Sequence, residues 1–183
     1  MVENPGMLAL KLIQSRRLNL IAATTRLIEK DIEGRESLES ALDTRVPESW
    51  PPDLYGRRAM HFILRHTGEA AEQGWSFWYL ATREAPAELI GVCGFKGWPD
   101  ASGSVEISYS ILSEYQRRGF ASEAVQRLTG WAFSHHNVNE VCAETLPHLT
   151  QSIRDLETSG YVRAGAGSEA GVIRFAVGRS SLI

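Results

Sequence analysis

Two arginines and a glycine stand where a strand-like pattern of the sequence changes into a helical one. Alternating apolar and polar residues lead into Arg117, Arg118 and Gly119, and an amphipathic pattern begins at Phe120. A helix N-terminus presents unpaired backbone N–H groups and the positive end of the helix dipole, which together suit a phosphate. A diphosphate reaches those amides only where side chains are small, as at Gly119 and Ala121. The pattern predicts an anion site, although a surface turn with two solvated arginines fits the same spacing.

Before this loop, the sequence predicts a strand, two helical stretches and three further strands. Apolar and polar residues alternate over 17–23, Thr24 or Thr25 caps a helix, and Gly34 interrupts it. A second helical stretch presents one apolar face, formed by Tyr55, Ala59, Phe62 and Ile63. Short connections join the runs WSFWYLATRE, ELIGVCGFKGW and SVEISYSIL, which predicts an antiparallel meander.

After the loop, the sequence predicts alternating helices and strands. A helix runs to about His136, and the strand EVCAETL and the helix LTQSIRDLETS follow, with Gly160 as the stop. The runs YVRAGAG and GVIRFAV close the chain as a strand pair. The strand–helix–strand unit over 104–146 requires parallel strands. The predicted fold class is α+β with a mixed sheet, in one domain over 1–183 whose residues 1–16 form an N-terminal extension.

Composition and charge narrow the class of protein. A net charge of -3 argues against nucleic acid as the main ligand, because basic surfaces hold phosphate backbones. Cys93 and Cys142 are too few for a disulfide framework, and the early apolar run MLALKLI is too short to span a membrane. The five histidines form no metal-ligand pattern. The sequence therefore predicts a cytoplasmic protein that uses no metal and binds neither nucleic acid nor membrane.

The loop and its surroundings resemble the GNAT acyl-CoA N-acyltransferases. Residues 116–121, QRRGFA, fit the family signature Q/R-x-x-G-x-G/A, with a strand before them and a helix, a strand and a helix behind. The run VEISYSILSEYQRRGFASEAV is similar to the RimJ/RimL-like branch in particular, and the likeness extends over 17–178. The competing match GAGSEA, residues 165–170, precedes a strand rather than a helix, so a dinucleotide site does not fit it.

The resemblance implies a GNAT fold, with a mixed, mostly antiparallel central sheet flanked by helices and splayed parallel strands that form the acetyl-CoA cleft. It implies acetyl-CoA as co-substrate, with the loop around its pyrophosphate. It also implies a bulge that frees backbone amides near Ile111 and Leu112 for the thioester carbonyl and the pantetheine. The implied cofactor-binding residues are Ile111, Leu112, Gln116, Arg117, Arg118, Gly119, Phe120, Ala121 and Ser152. The resemblance leaves room for a homodimer.

Three positions bear on the chemistry that the resemblance implies. Leu149 stands where relatives often carry a CoA-binding asparagine, and Leu156 where some GNAT enzymes carry a tyrosine as general acid. A thiolate leaving group, with a thiol pKa of about 8.5, needs little help from such an acid. Glu106 stands where many relatives have a carboxylate facing the acceptor. It is either a general base, directly or through water, or an ordinary polar strand residue.

The acceptor site is expected in the first half of the chain, from the runs PESWPPDLY, WSFWY and GFKGW. Four tryptophans either line a pocket for a partly apolar acceptor or fill the core: Trp50, Trp75, Trp78 and Trp98. The resemblance implies an N-acetyltransferase that moves an acetyl group from acetyl-CoA to a primary amine, either a protein N-terminus or a small molecule. The alternative is a non-catalytic acyl-CoA-binding module with the same fold.

Overall fold

A mixed sheet of eight strands forms the centre of the computed structural model, which describes residues 10–66 and 68–182. The strands are β1 (Leu12–Gln14), β2 (Leu18–Ala22), β3 (Phe77–Thr82), β4 (Leu89–Phe95), β5 (Ser104–Ile111), β6 (Glu140–Thr145), β7 (Val162–Ala166) and β8 (Ile173–Gly178). Their order across the sheet is β1-β2-β3-β4-β5-β6-β8-β7. Strands β2 to β5 form an antiparallel meander, which confirms the prediction for β3 to β5.

Six helices flank this sheet within the described residues. They are α1 (Thr25–Glu33), α2 (Arg35–Leu42), α3 (Arg57–His66), α4 (Gly68–Glu72), α5 (Phe120–Phe133) and α6 (Thr150–Thr158). The Thr24 side chain caps α1, and Gly34 separates α1 from α2, as predicted. Helix α5 begins at the predicted residue, Phe120, and ends at Phe133, earlier than predicted.

Strands β5 and β6 lie parallel and then separate. Their ladder consists of three pairs, in which Ser104 faces Glu140, Val105 faces Val141 and Glu106 faces Cys142. Beyond this point β5 continues to Ile111 and β6 to Thr145, with no further pairing between them in the described ladder. This gap is the splay that the family resemblance implied, and the fold is the GNAT fold.

The predicted N-terminal extension, residues 1–16, includes the first strand of the sheet. Residues 1–9 lie outside the described residues, whereas Leu12–Gln14 form β1 and pair antiparallel with β2. The short, half-exposed β1 adds an edge to the sheet, so this segment belongs to the fold.

Two apolar clusters cover the two faces of the sheet. One packs beneath α5, whose Ala124, Val125 and Leu128 are fully buried; the other lies under α1 to α3. The thiols of Cys93 and Cys142 are free and buried, consistent with a packing role. None of the helices in the described part of the chain is both long and apolar enough to cross a membrane. Because α5 is packed so firmly, its N-terminus is held in a fixed position beside the splayed strands.

Candidate active site

The loop between β5 and α5 presents the start of the helix to the splayed strands. Gly119 is the N-cap residue of α5 with a φ of 78°, and Arg117 adopts a φ of 58°, so the loop turns twice through the left-handed region. No described side chain caps α5 at Gly119. The first N–H groups of the helix therefore remain available for an anion, as the sequence pattern predicts.

A cleft runs from this loop between β5 and α6. Its lining residues are Tyr109, Ser110, Ile111, Tyr115, Gln116, Arg117, Gly119, Phe120, Ala121, Gln151, Ser152 and Asp155. The structure thus brings together all the predicted cofactor-binding residues except Leu112 and Arg118. Leu112 is 3% exposed and belongs to the core, and the Arg118 guanidinium lies 5.4 Å from the Tyr115 ring centroid.

The β5 edge of the cleft carries backbone amides without the predicted bulge. The register between β4 and β5 runs unbroken from Ile107 to Ile111, so the bulge prediction is wrong. The Leu112 amide donates a hydrogen bond of 2.9 Å to the Ile90 carbonyl and faces β4. Because antiparallel partners alternate, the N–H groups of Tyr109 and Ile111 point the other way, into the gap left by β6. The splay itself exposes them.

Gln116 closes the end of the β5 edge. Its Nε2 donates a 2.9 Å hydrogen bond to the Ile111 carbonyl, which points into the same gap. The bond ties the loop to the strand and leaves the Ile111 amide as a donor facing the cleft. Gln116 therefore fixes the position of the loop against β5 at the edge of the cleft. Its place in the family signature does not reveal this role.

Arg17, which the sequence analysis missed, braces the loop from the turn between β1 and β2. Its Nη1 donates to the Arg118 carbonyl at 2.9 Å, and its guanidinium carbon lies 4.4 Å from the Phe120 ring centroid. Its Nε and backbone N each lie 2.6 Å from the Glu123 carboxylate in the first turn of α5, and the Ser15 hydroxyl donates to that carboxylate at 2.7 Å. No local sequence signal marks Arg17, because its partners lie about a hundred residues away along the chain.

Tyr109 was also missed, because it alternates with apolar residues and fits a core pattern. Its hydroxyl donates to the Ser152 carbonyl at 3.1 Å and lies 3.3 Å from Ser152 Oγ. Burial raises the pKa of Tyr109, so the hydroxyl stays protonated in the neutral range. Leu156, at the family's tyrosine position, is 1% exposed. Tyr109 thus places a phenolic proton in the cleft from a different element.

Glu106 lies in a neighbouring compartment on the far side of Tyr109. This compartment also holds Glu144 and Glu169 and shares Tyr109 and Ser152 with the first cleft. Lys96 Nζ lies 2.5 Å from one carboxylate oxygen of Glu106, whose side chain is 26% exposed. For Glu106 to accept a proton, it must use its second oxygen or the pair with Lys96 must open.

An apolar pocket lies between the meander and α3. Trp98 is the one predicted tryptophan that lines it within the described chain; Trp75 and Trp78 are buried in the core. Trp50 packs on Tyr79 and donates to the Asp31 carboxylate at 2.9 Å. Phe62, predicted to share an apolar face with Ile63, lines this pocket together with Ile63, whereas Met60 is the buried residue of α3.

Comparison with known families agrees with this geometry. The model of the acetyltransferase (GNAT) domain matches residues 27–162, and the chain belongs to the GNAT family. It is an enzyme of the acyltransferase class. A curated relative, the uncharacterized N-acetyltransferase YjdG of Bacillus subtilis (strain 168), is 24% identical over 154 residues, covering 82% of this chain and 89% of the relative.

Two solved structures show the same fold at low sequence identity. RimL, a ribosomal L7/L12 alpha-N-protein acetyltransferase in complex with coenzyme A, has a TM-score of 0.69 at 14% identity, covering 93% of this chain and 99% of that one. Mycobacterium smegmatis RimJ, in complex with CoA-disulfide, has a TM-score of 0.63 at 18% identity, covering 93% and 88%. These likenesses establish the fold.

Proposed function

We propose that the enzyme transfers an acetyl group from acetyl-CoA to a primary amine, by direct attack of the amine on the thioester. The observation that carries the proposal is the meeting of an uncapped helix N-terminus with an unpaired strand edge in one cleft. A pyrophosphate suits the first, and an extended amide-containing chain such as pantetheine suits the second. The complexes of RimL and RimJ with coenzyme A or its disulfide support this donor.

The loop residues contribute to acetyl-CoA binding in two ways: one supplies positive charge, and another leaves room for the phosphates. Arg117 supplies positive charge in the cleft, and Gly119, which has no side chain, leaves the helix amides accessible. The N–H groups of Tyr109 and Ile111 are placed to bond the pantetheine amides and the thioester carbonyl oxygen. Donation to that oxygen stabilises the negative charge that develops as the amine attacks.

The reaction forms a C–N bond and breaks the C–S bond of the thioester. The attacking amine must first lose a proton, because an alkylamine with a pKa of about 10 is mostly protonated at neutral pH. Glu106 is the proposed acceptor of that proton, directly or through water. After the attack the nitrogen loses a second proton to solvent as it becomes an amide, and the sulfur, which leaves as a thiolate, takes up a proton from solvent. Tyr109 acts as a hydrogen-bond donor to the sulfur once its hydroxyl turns from the Ser152 carbonyl, and its raised pKa opposes complete proton transfer.

The experiment is thiol release from acetyl-CoA with a panel of primary amines and N-terminal peptides. We expect one thiol released for each acetylated amine, with the product confirmed by mass spectrometry. Calorimetry with acetyl-CoA runs alongside. Tight binding with no product from any amine would favour the non-catalytic binding module, and absence of binding would refute the donor.

A further inference from the structure

We propose that the acceptor amine carries an aromatic or branched aliphatic group, and that the apolar pocket between α3 and the meander holds this group. The inference rests on the proposed function and names its substrate class. The pocket has a volume of about 680 Å³, enough for a phenyl ring and a short chain. Its walls are mostly apolar and include Phe77, Phe95, Ile63 and Ala70.

Three large apolar side chains stand exposed around this pocket. Leu54 is 86% exposed, Phe62 56% and Trp98 49%, and all three line the same space. Single exposed apolar residues are ordinary, but a cluster of them around a concave surface marks a place where an apolar ligand is bound. Folding alone gains nothing from leaving these side chains in water.

Leu54 carries a second, independent sign of function. Its φ is 72°, in the left-handed region that leucine rarely adopts. Side chains held in such strained backbone conformations cluster at ligand-binding positions, where the geometry is retained for its use. The strained backbone holds Leu54 at the junction of the apolar pocket and the acidic compartment of Glu106, both of which it lines.

The position of the pocket fits an amine whose charged and apolar parts lie close together. The apolar pocket and the acidic compartment share Leu54, Lys96, Ser108 and Tyr109. A protonated amino group is attracted to the acidic side, which holds Glu106, Glu144 and Glu169. Hydrogen bonds from Ser168 lower the pKa of Glu144 and keep it charged.

The same lining disfavours a polycationic acceptor. Among the described residues that line the apolar pocket there is one carboxylate, Glu69, together with His66 and Lys96. Several ammonium groups in this space would lack partners, and unpaired buried charge is strongly unfavourable. One amino group with one apolar substituent matches both compartments.

The test compares matched amines in the thiol-release assay. Phenethylamine and isoamylamine supply apolar groups; ethanolamine and putrescine supply polar and dicationic ones. Phe- and Ser-initiated dipeptides extend the comparison to N-termini. Burial of one apolar group predicts a kcat/KM about ten- to hundredfold higher for the apolar members. The variants Leu54→Asn and Phe62→Ser, at exposed positions, should reduce this ratio at least threefold, and Asn tolerates the positive φ.

The control is Leu12→Asn, which makes the same change at an exposed leucine of the distant edge strand β1. It should leave the ratio unchanged. Equal rates for apolar and polar amines would overturn the inference while leaving the proposed function intact. An unaltered ratio in both pocket variants would overturn the placement of the apolar group. If acetyl-CoA binds and no amine is acetylated, the proposed function fails, and the inference fails with it.

Discussion

The Arg17 guanidinium lies over the ring of Phe120, 4.4 Å from its centroid. Phe120 is the first residue of α5, the helix whose N-terminus faces the cleft. The same guanidinium holds the Arg118 carbonyl and the Glu123 carboxylate. Arg17 therefore fixes the loop on both sides of Gly119 without lining the cleft itself. A residue in this position sets the geometry of the amides that face the phosphate.

Replacement of Arg17 by methionine should weaken acetyl-CoA binding about tenfold, because it removes hydrogen bonds that involve charged groups. Calorimetry measures this change directly. Arg16→Met is the matched control, since it removes the same charge from an adjacent, exposed position. Equal losses in the two variants would reduce the effect to overall charge and contradict the bracing role.

The contacts of Glu123 with Ser15 and Arg17 should make the stability of the folded protein depend on pH. Burial opposes its ionisation, but hydrogen bonds from Ser15 and Arg17 outweigh burial and lower the pKa of Glu123. A lowered pKa in the folded state adds stability above the unfolded value of about 4.3, and this is lost as the pH falls through the folded value. Glu123→Gln should therefore unfold at lower urea than the parent at pH 7. The difference should shrink as the pH falls below about 4.3 towards the lowered folded value; a constant difference would contradict the assignment.

Two substitutions of Gly119 separate the effect of charge on acetyl-CoA binding from the effect of bulk. Gly119→Asp and Gly119→Asn introduce side chains of the same shape at a φ of 78°, which Asn and Asp tolerate better than other residues. The aspartate adds a negative charge beside a diphosphate and should abolish acetyl-CoA binding. The asparagine should retain measurable affinity. Similar affinities of the two variants would show that no phosphate lies at this helix start.

Local patterns of the sequence were sufficient to predict the loop, but not the distant residues that hold it in place. The change of period at Phe120 and the small residues Gly119 and Ala121 describe one strand, one turn and one helix, all close in sequence. Arg17 reaches Arg118 across 101 residues, and such a contact follows from packing of β1 and β2 against α5. No periodicity of either segment encodes it.

The sequence also did not decide which aromatic residues line the acceptor pocket. Tryptophans and aromatic strand residues are typical of both cores and pockets, and the sequence left both alternatives open. Packing decided between them: Trp78 is fully buried, whereas Trp98 lies at the pocket. The bulge in β5 was expected from resemblance alone, and here the splay of β6 exposes the strand edge without it.

Tyr109→Phe tests the phenolic proton in the cleft. The variant keeps the ring and loses the hydroxyl beside Ser152, so turnover should fall about tenfold, the value of one hydrogen bond to a charged sulfur. Acetyl-CoA affinity should stay the same. Tyr161→Phe is the control, because it removes a buried hydroxyl bonded to Thr129 away from the cleft. That variant should lose stability and keep its turnover; the reverse pattern would exclude Tyr109 from the reaction.

Glu106→Gln tests the proposed base. Glutamine preserves the shape of the side chain but does not take up the proton, and general-base contributions of about a hundred- to ten-thousandfold predict a fall in turnover of at least a hundredfold. Acetyl-CoA affinity should barely change, because Glu106 lies in the acidic compartment rather than at the loop. Activity should partly return at high pH, where free amine forms without a base.

The ion pair between Glu106 and Lys96 supplies the control for this prediction. Lys96→Met removes the pair, whose nitrogen and oxygen lie 2.5 Å apart, and leaves the carboxylate in place. If Glu106 is a base, Lys96→Met retains turnover, since the freed carboxylate still accepts a proton. If Glu106 serves the strand through its ion pair, both variants lose turnover and stability together. Steady-state rates and urea unfolding of the two variants distinguish these outcomes, and turnover of Glu106→Gln within threefold of the parent rejects the base.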